Sequence, residues 1–346
     1  MPTHSHIRLG AAIASLVAAT LLLSAAAATA AASTSQHTSS TYPWPVKPFD
    51  QPHPVRGSFG DPRTLFHGPP TQRTLESGSG SFTFHTGVDI SAPDGTAVYP
   101  VVSGTVAFTM RDWLAVDSGD GRVFQYWHIT PAVAKGAHVE AGQTVLGQIR
   151  RGSGHVHLTE IDGGVTTNPL APGHLSPYTD TTVPTASAIE FRASVAGRDL
   201  MPELLRGRVE ILATVRDMPT LPVPGAWADL PVMPALVTWT IERAGTHTLV
   251  GPTHTAFDVR STLPSPTAFW HVYARGTHQN MSVFGKHYSY MQPGVYTLRL
   301  APGGFDTHAL KDGVYELAVT TTDIRGNRST TVQRFSIHNK PGVVGA

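Results

Sequence analysis

Glycine and proline interrupt this chain about once in every six residues, with 33 Gly and 28 Pro among 346. Both are poor helix formers, because glycine costs backbone entropy and proline lacks the amide proton a helix needs. No amphipathic helix longer than about three turns stands out. Between the interruptions lie short runs rich in β-branched and aromatic residues: Val88–Ile90, Ala97–Val101, Gly104–Met110, Val123–His128, Thr144–Ile149 and His155–Ile161. Turn sequences such as Ala92-Pro93-Asp94-Gly95 and Asp117-Ser118-Gly119-Asp120-Gly121 separate them. The chain reads as all-β.

Composition removes several function classes. Lys+Arg exceeds Asp+Glu by one, so no strong field gathers nucleic acid, and none is expected as a partner. Without cysteine, disulfide frameworks, thiolate metal sites and cysteine nucleophiles are excluded. A hydrophobic fraction of 40% is too high for a chain disordered throughout.

The first residues read as an address. A polar start with His4, His6 and Arg8 precedes an apolar run from Leu9 to Leu23, followed by small residues at Ala28, Ala30 and Ala32. This is the pattern of a secretory signal peptide over 1–32, with a retained membrane anchor as the alternative. Either way the remainder is expected to be secreted or associated with the cell envelope, touching the membrane only through this segment. Residues 33–54 read as a Ser/Thr-rich linker and a Pro-rich lead-in with an extended path. A compact β-domain is expected over 55–178, a linker over 179–200 and a second β-domain over 201–340. In the latter, Val237, Trp239 and Ile241 alternate with polar residues, as do Tyr315, Leu317 and Val319, which suggests a β-sandwich. Its histidines, His247 and His254 among them, show no further ligand spacing. The sequence leaves oligomeric state open.

Three short motifs carry chemistry: His85-Thr86-Gly87-Val88-Asp89, Tyr126-Trp127-His128 and His155-Val156-His157. On a strand, residues two or four apart share a face, so His85 can point with Asp89 and His155 with His157. Two imidazoles and one carboxylate suit Zn²⁺ with one coordination position left for water, the arrangement of a catalytic site. Each spacing alone is weak. His4-Ser5-His6 and the pair His254 and Asp258 repeat the same spacings elsewhere.

Together with their flanks these motifs resemble the lysostaphin-type zinc metallopeptidases, which cut peptide cross-bridges or stems of bacterial peptidoglycan. The resemblance runs from about Arg56 to Leu170. It includes Arg56-Gly57-Ser58-Phe59-Gly60-Asp61, the stretch Phe84 to Val98, Gly104-Thr105-Val106, Gly136 to Gly147 and Asn168-Pro169-Leu170. It implies a duplicated hybrid-motif β-barrel or sandwich with an open groove, holding one catalytic Zn²⁺ on His85, Asp89 and His157. It also implies that His128 and His155 flank the water and the scissile carbonyl, as proton acceptor or as donor to the oxyanion. The chain departs from the family pattern at Trp127, where a small residue is common, at Leu158 and Thr159, and in the spacing of Arg150-Arg151-Gly152-Ser153-Gly154 before His155. These departures bear on substrate choice more than on metal binding.

Tyr315 to Asn327 resembles a strand and turn of bacterial immunoglobulin-like or fibronectin type III-like modules, with Asp323 and Asn327 capping the turn. The expectation for the whole chain is an exported zinc endopeptidase acting on peptidoglycan peptides, with this sandwich as spacer or wall-adhesion module. Two alternatives are a catalytically silent member of the same fold, which binds wall peptide or activates a hydrolase, and a secreted adhesin.

Overall fold

The computed structural model describes residues 41–66, 71–194, 197–282 and 292–340. The signal segment expected over 1–32 lies outside the described residues. No helix among the described residues is long and apolar enough to cross a membrane.

Residues 55–167 form thirteen strands in chain order: β1 (Val55–Gly57), β2 (Pro62–Leu65), β3 (Ser81–Phe84), β4 (Val88–Ser91), β5 (Ala97–Val98), β6 (Gly104–Thr109), β7 (Trp113–Asp117), β8 (Arg122–Trp127), β9 (Ile129–Pro131), β10 (His138–Val139), β11 (Gly147–Ile149), β12 (His155–Asp162) and β13 (Val165–Thr167). The main sheet is antiparallel in the order β1-β4-β12-β8-β7-β6-β10, with β13 also on β12. A smaller sheet, β5-β11-β9, and the hairpin β2-β3 complete this N-terminal region. Among the described residues helix is confined to short pieces such as α1 (Gln72–Ser77), opened by a Thr71 capping box and closed by Gly78 in the left-handed region.

Alternation decides which way the sheet faces. Val88 and Ile90 of β4, Val156 and Leu158 of β12, and Phe124 and Tyr126 of β8 are fully buried on the core side. Their neighbours Asp89, His155, His157 and Trp127 must therefore point to the other face. Asp89 pairs directly with His157, His157 with Trp127, and Trp127 with Trp113. One transverse row across four strands thus joins two candidate ligands to a pair of tryptophans stacked 4.2 Å apart.

The Pro-rich lead-in is part of this core rather than a tether. Tyr42, Trp44 and Val46 are buried, the Tyr42 ring stands edge-on to Phe124 at 5.0 Å, and Trp44 Nε1 donates to the Pro177 carbonyl. Prolines direct its extended path, but its apolar side chains decide where it lies.

The C-terminal region has two antiparallel sheets. One contains β14 (Thr185–Ala193), β15 (Arg208–Arg216), β19 (Tyr296–Arg299) and β20 (Phe305–Asp306). The other contains β16 (Leu236–Arg243), β17 (Thr248–Leu249), β18 (His254–Asp258), β21 (Gly313–Thr322) and β22 (Arg328–Ile337). They pack through alternating residues such as Ile211, Leu317 and Phe335, with the Phe191 and Phe335 rings 5.4 Å apart. The stretch 179–200, expected as a linker, supplies β14, which pairs with β15 along its length. Its polar and small residues hid a strand whose buried face rests on Ala186 and Phe191. The Asp323–Asn327 turn closes as expected, with Asp323 Oδ1 accepting from the amides of Arg325 and Asn327.

Candidate metal centre

Asp89 and His157 come together through strand register, whereas His85 arrives by a different route. The expectation placed His85 and Asp89 on one strand, but β4 begins at Val88 and His85 precedes a bend. Gly87 makes that bend possible. A Cβ there would lie 2.1 Å from the Leu158 carbonyl oxygen and 2.9 Å from His157 Nε2, so any side chain would collide with the backbone of β12. The His85 backbone is anchored at both ends, its amide to the Asp61 carbonyl and its carbonyl to the Gly60 amide.

Three donor atoms converge as a result. His85 Nε2 lies 3.1 Å from Asp89 Oδ1 and 2.7 Å from His157 Nδ1, and His157 Nδ1 lies 3.0 Å from Asp89 Oδ1. Each ligand candidate is held from behind. His85 Nδ1 donates to the Ser58 carbonyl at 2.8 Å, His157 Nε2 faces the Thr159 hydroxyl at 2.8 Å, and Arg63 Nη2 donates to Asp89 Oδ2 at 2.7 Å. With its outer nitrogen donating to a carbonyl, His85 presents a lone pair inward, and His157 does the same when its outer nitrogen donates to Thr159, an arrangement that suits a cation between them. A tetrahedral zinc ion with bonds of 2.0–2.1 Å needs ligand atoms about 3.3 Å apart. The triangle needs to open only slightly to accept one, and the residues fit the group.

Protonation favours the same role. Burial above all, with the Arg63 charge adding to it, pushes His85 down to about 3, against the attraction of Asp89. His157 is lowered chiefly by burial. Burial alone would raise the Asp89 carboxyl, but His85, Arg63 and His155 together hold it well below the usual range. Near neutral pH the set is two neutral imidazoles and one carboxylate, the forms that bind a divalent metal.

His128 and His155 stand beside this triangle. Their rings are 4.5 Å apart by centroid, and the His128 ring is 6.4 Å from that of His157. His155 Nε2 lies 3.5 Å from Asp89 Oδ1, and its Nδ1 is 2.7 Å from the Ser153 carbonyl. His128 was expected as the last residue of a strand. It lies just past β8 with φ 65°, and this left-handed turn swings its ring back toward the site. Burial first, then the neighbouring His155, lowers His128 to about 4. The triangle opens into a depression of about 290 Å³ walled by Arg63, Thr83, Thr86, Trp127 and His128.

Several neighbours escaped the sequence reading. Arg56 belonged to a recognised segment without a role, yet its Nη2 lies 2.6 Å from His155 Nδ1 and 3.5 Å from Nε2. Those two distances place it beside the ring rather than in line with either nitrogen. Arg63 had no local signal at all. Two further groups of possible ligands also form over long range, Glu242–His247–Glu316 and Asp180–Asp217–Asp323. His247, which shows no ligand spacing in the sequence, lies 3.5 Å from Glu242 and 3.6 Å from Glu316, two glutamates directly opposite each other across β16 and β21.

On one β-sheet face, two imidazoles and a carboxylate that could hold a metal ion converge beside two further histidines. Residues 83–169 match Peptidase family M23, and the chain carries an M23 domain. The segment Arg56–Asp61, included in the resemblance, precedes the matched range. Among solved structures, the SpoIIQ–SpoIIIAH pore-forming complex is 22% identical over 38% of this chain and 90% of that one, with a TM-score of 0.29. The catalytic domain of the prophage-encoded M23 protein EnpA from Enterococcus faecalis is 23% identical over 36% of this chain and 98% of that one, at 0.25. Csd3 from Helicobacter pylori is 19% identical over 38% of this chain and 36% of that one, at 0.27.

Proposed function

We propose that this chain is an exported zinc metalloendopeptidase that hydrolyses peptide bonds of bacterial peptidoglycan. One observation carries the reading: three donor atoms of the right kinds lie 2.7–3.1 Å apart, each held by a partner behind it. His85, Asp89 and His157 would hold the ion. Bound there, zinc supplies Lewis acidity toward a carbonyl oxygen and toward water. The rest belongs to the chain. His155 donates through Nδ1 to Ser153, which leaves Nε2 as a lone pair facing the site and suited to accept a proton. His128, across from it, is placed to donate to the oxyanion that develops on the scissile carbonyl. Trp127 walls the depression on the side away from Asp89 and limits what sits beside the scissile bond.

Peptidoglycan peptides are the proposed substrate, and the leader over 1–32 the proposed route out of the cytoplasm. The two C-terminal sheets are read as an immunoglobulin-like sandwich. The test is mass spectrometry of fragments released from several peptidoglycan types by the zinc-loaded protein. New amino termini at defined peptide bonds support the reading. Full zinc occupancy with no release from any wall tried would replace it with a silent binder of the same fold.

A further inference from the structure

The strip that delivers both arginines to the metal centre lies in the N-terminal region, but the C-terminal region holds it. Asn280 Nδ2 donates to the Arg56 carbonyl at 2.8 Å, and the Tyr273 hydroxyl donates to the Gly60 carbonyl at 2.7 Å. The Met233 amide donates to the fully buried Asp61 carboxylate at 2.9 Å, and the Thr64 amide donates to Gln279 Oε1 at 2.9 Å. Gly60 takes φ +86° where a Cβ would lie 2.9 Å from Val259 and 3.0 Å from Phe257. The strip is thus pressed onto the C-terminal region at a point that admits no side chain.

Two lines of contact continue from it into the site. In the first, Met233 holds Asp61, Asp61 lies 3.6 Å from Arg63, and Arg63 holds Asp89. In the second, the Trp227 ring lies against the Arg56 guanidinium, 4.1 Å from ring centroid to guanidinium carbon, and Arg56 lies against His155. The buried Arg56 Nε has no hydrogen-bond partner, so the Trp227 face is the principal restraint on that end of the side chain away from His155.

We propose that the C-terminal region is a working part of the active centre, in which Trp227 is a positioning residue that holds Arg56 against His155. This rests on reading the M23 domain as a zinc endopeptidase, and it gives the C-terminal sheets a role in turnover rather than in spacing or adhesion. A flat, delocalised guanidinium can lie on an indole and meet an imidazole with its amino edge. An ammonium on a flexible stem cannot do both.

The experiment compares full-length, zinc-loaded wild type with Trp227→Ala, Trp227→Phe and Arg56→Lys. Trp227→Ala is expected to lower kcat on the order of 10- to 100-fold, the scale of a misplaced catalytic group. KM should stay within about threefold, since substrate binding is not the function lost. Zinc content should equal that of wild type, which shows that the protein has folded. Trp227→Phe keeps a ring face and should recover most of kcat, whereas Arg56→Lys should behave like Trp227→Ala. Independently of turnover, the side-chain ¹⁵N resonances of His155 should move in Trp227→Ala and return toward wild type in Trp227→Phe. Wild-type kcat and unmoved His155 resonances in Trp227→Ala would overturn the proposal. If the wild type cleaves no peptidoglycan, the functional reading fails, and the His155 resonances alone decide the positioning.

Discussion

Of the three clusters among the described residues that bring three possible ligand atoms within 4.8 Å, two diverge sharply in chemistry. At His85, Asp89 and His157, burial keeps the imidazoles neutral, while the neighbouring histidines and Arg63 keep the carboxyl ionised. At Asp180, Asp217 and Asp323, three carboxylates face one another. Burial, with Asp180 adding to it, pushes Asp217 up to about 8, and Asp323 is raised chiefly by burial. The surrounding donors, the Met218 amide to Asp217 and the Arg325 and Asn327 amides to Asp323, do not offset this. Convergence of donor atoms is common to both. What distinguishes the first is a mixture of neutral bases and one anion, each restrained from behind, which leaves the inner lone pairs free. The second meets its repulsion by keeping a proton.

The comparison breaks most sharply at the ligands. His157→Ala should lose zinc and reduce peptidoglycan hydrolysis to background, read by metal analysis and by release of amino groups. Retained stoichiometric zinc would remove the triangle from the mechanism. Next in size, His128→Ala should lower kcat by about 10²- to 10⁴-fold, as for loss of a proton-handling group, with zinc content unchanged. Unaltered clearing of cell walls would take His128 out of the site. Thr159→Val removes the hydroxyl behind His157 with little change in shape. It should weaken zinc affinity about 10- to 100-fold in competition with a chelator.

The smallest effect belongs to the acidic trio. The folded-state pKa of Asp217 is raised, so between its unfolded value near 4 and about 8 the folded state binds more protons than the unfolded state. The Asp217 contribution to stability therefore falls as pH rises through that window. Asp61, raised to about 6 mainly by burial, contributes with the same sign at the lower end. The lowered His85, His128 and His157 oppose this between pH 6 and 7, so the Asp217 contribution is read as a difference: relative to Asp217→Asn, wild type should lose stability in thermal melts as pH rises from 6 to 8. A difference between wild type and variant that did not change with pH would sink the account of a proton kept on Asp217. If millimolar calcium raised the melting temperature of wild type but not of Asp217→Asn, the trio would be a cation site and the contrast with the zinc ligands would narrow.

The parts of the site that were legible in the sequence are those that follow from short-range rules. Asp89 and His157 sit where alternation against Val88, Ile90, Val156 and Leu158 puts them, since a strand's side-chain period of two cannot be escaped without a bulge. His85 lies in one short motif with Asp89, but a bend at Gly87, where β12 leaves no room for a side chain, rather than strand period, separates the two. His128 lies beyond the strand that its run of residues suggests, and its left-handed backbone, not strand alternation, sets its direction. Arg63 and the tryptophan at 227 had no signal, since an arginine or an aromatic residue near a turn resembles any solvated or core residue until its partner is known. The strand at Thr185–Ala193 was missed because its polar, small-residue character is that of a linker unless a neighbour such as β15 is there to pair with it.

By itself, the sequence determined the class of structure and the motifs that hold the candidate ligands. Frequent glycine and proline limit helix length, and two-residue alternation assigns faces, because both act within a few bonds of the residue concerned. Tertiary structure alone decided which strands would be neighbours, how three ligands acquired their restraining partners, and that residues more than 170 positions away would grip the strip carrying Arg56 and Arg63. Those outcomes depend on which apolar faces bury together and on the hydrogen bonds that burial then makes obligatory. They are properties of the packed whole, and no local window of sequence contains them.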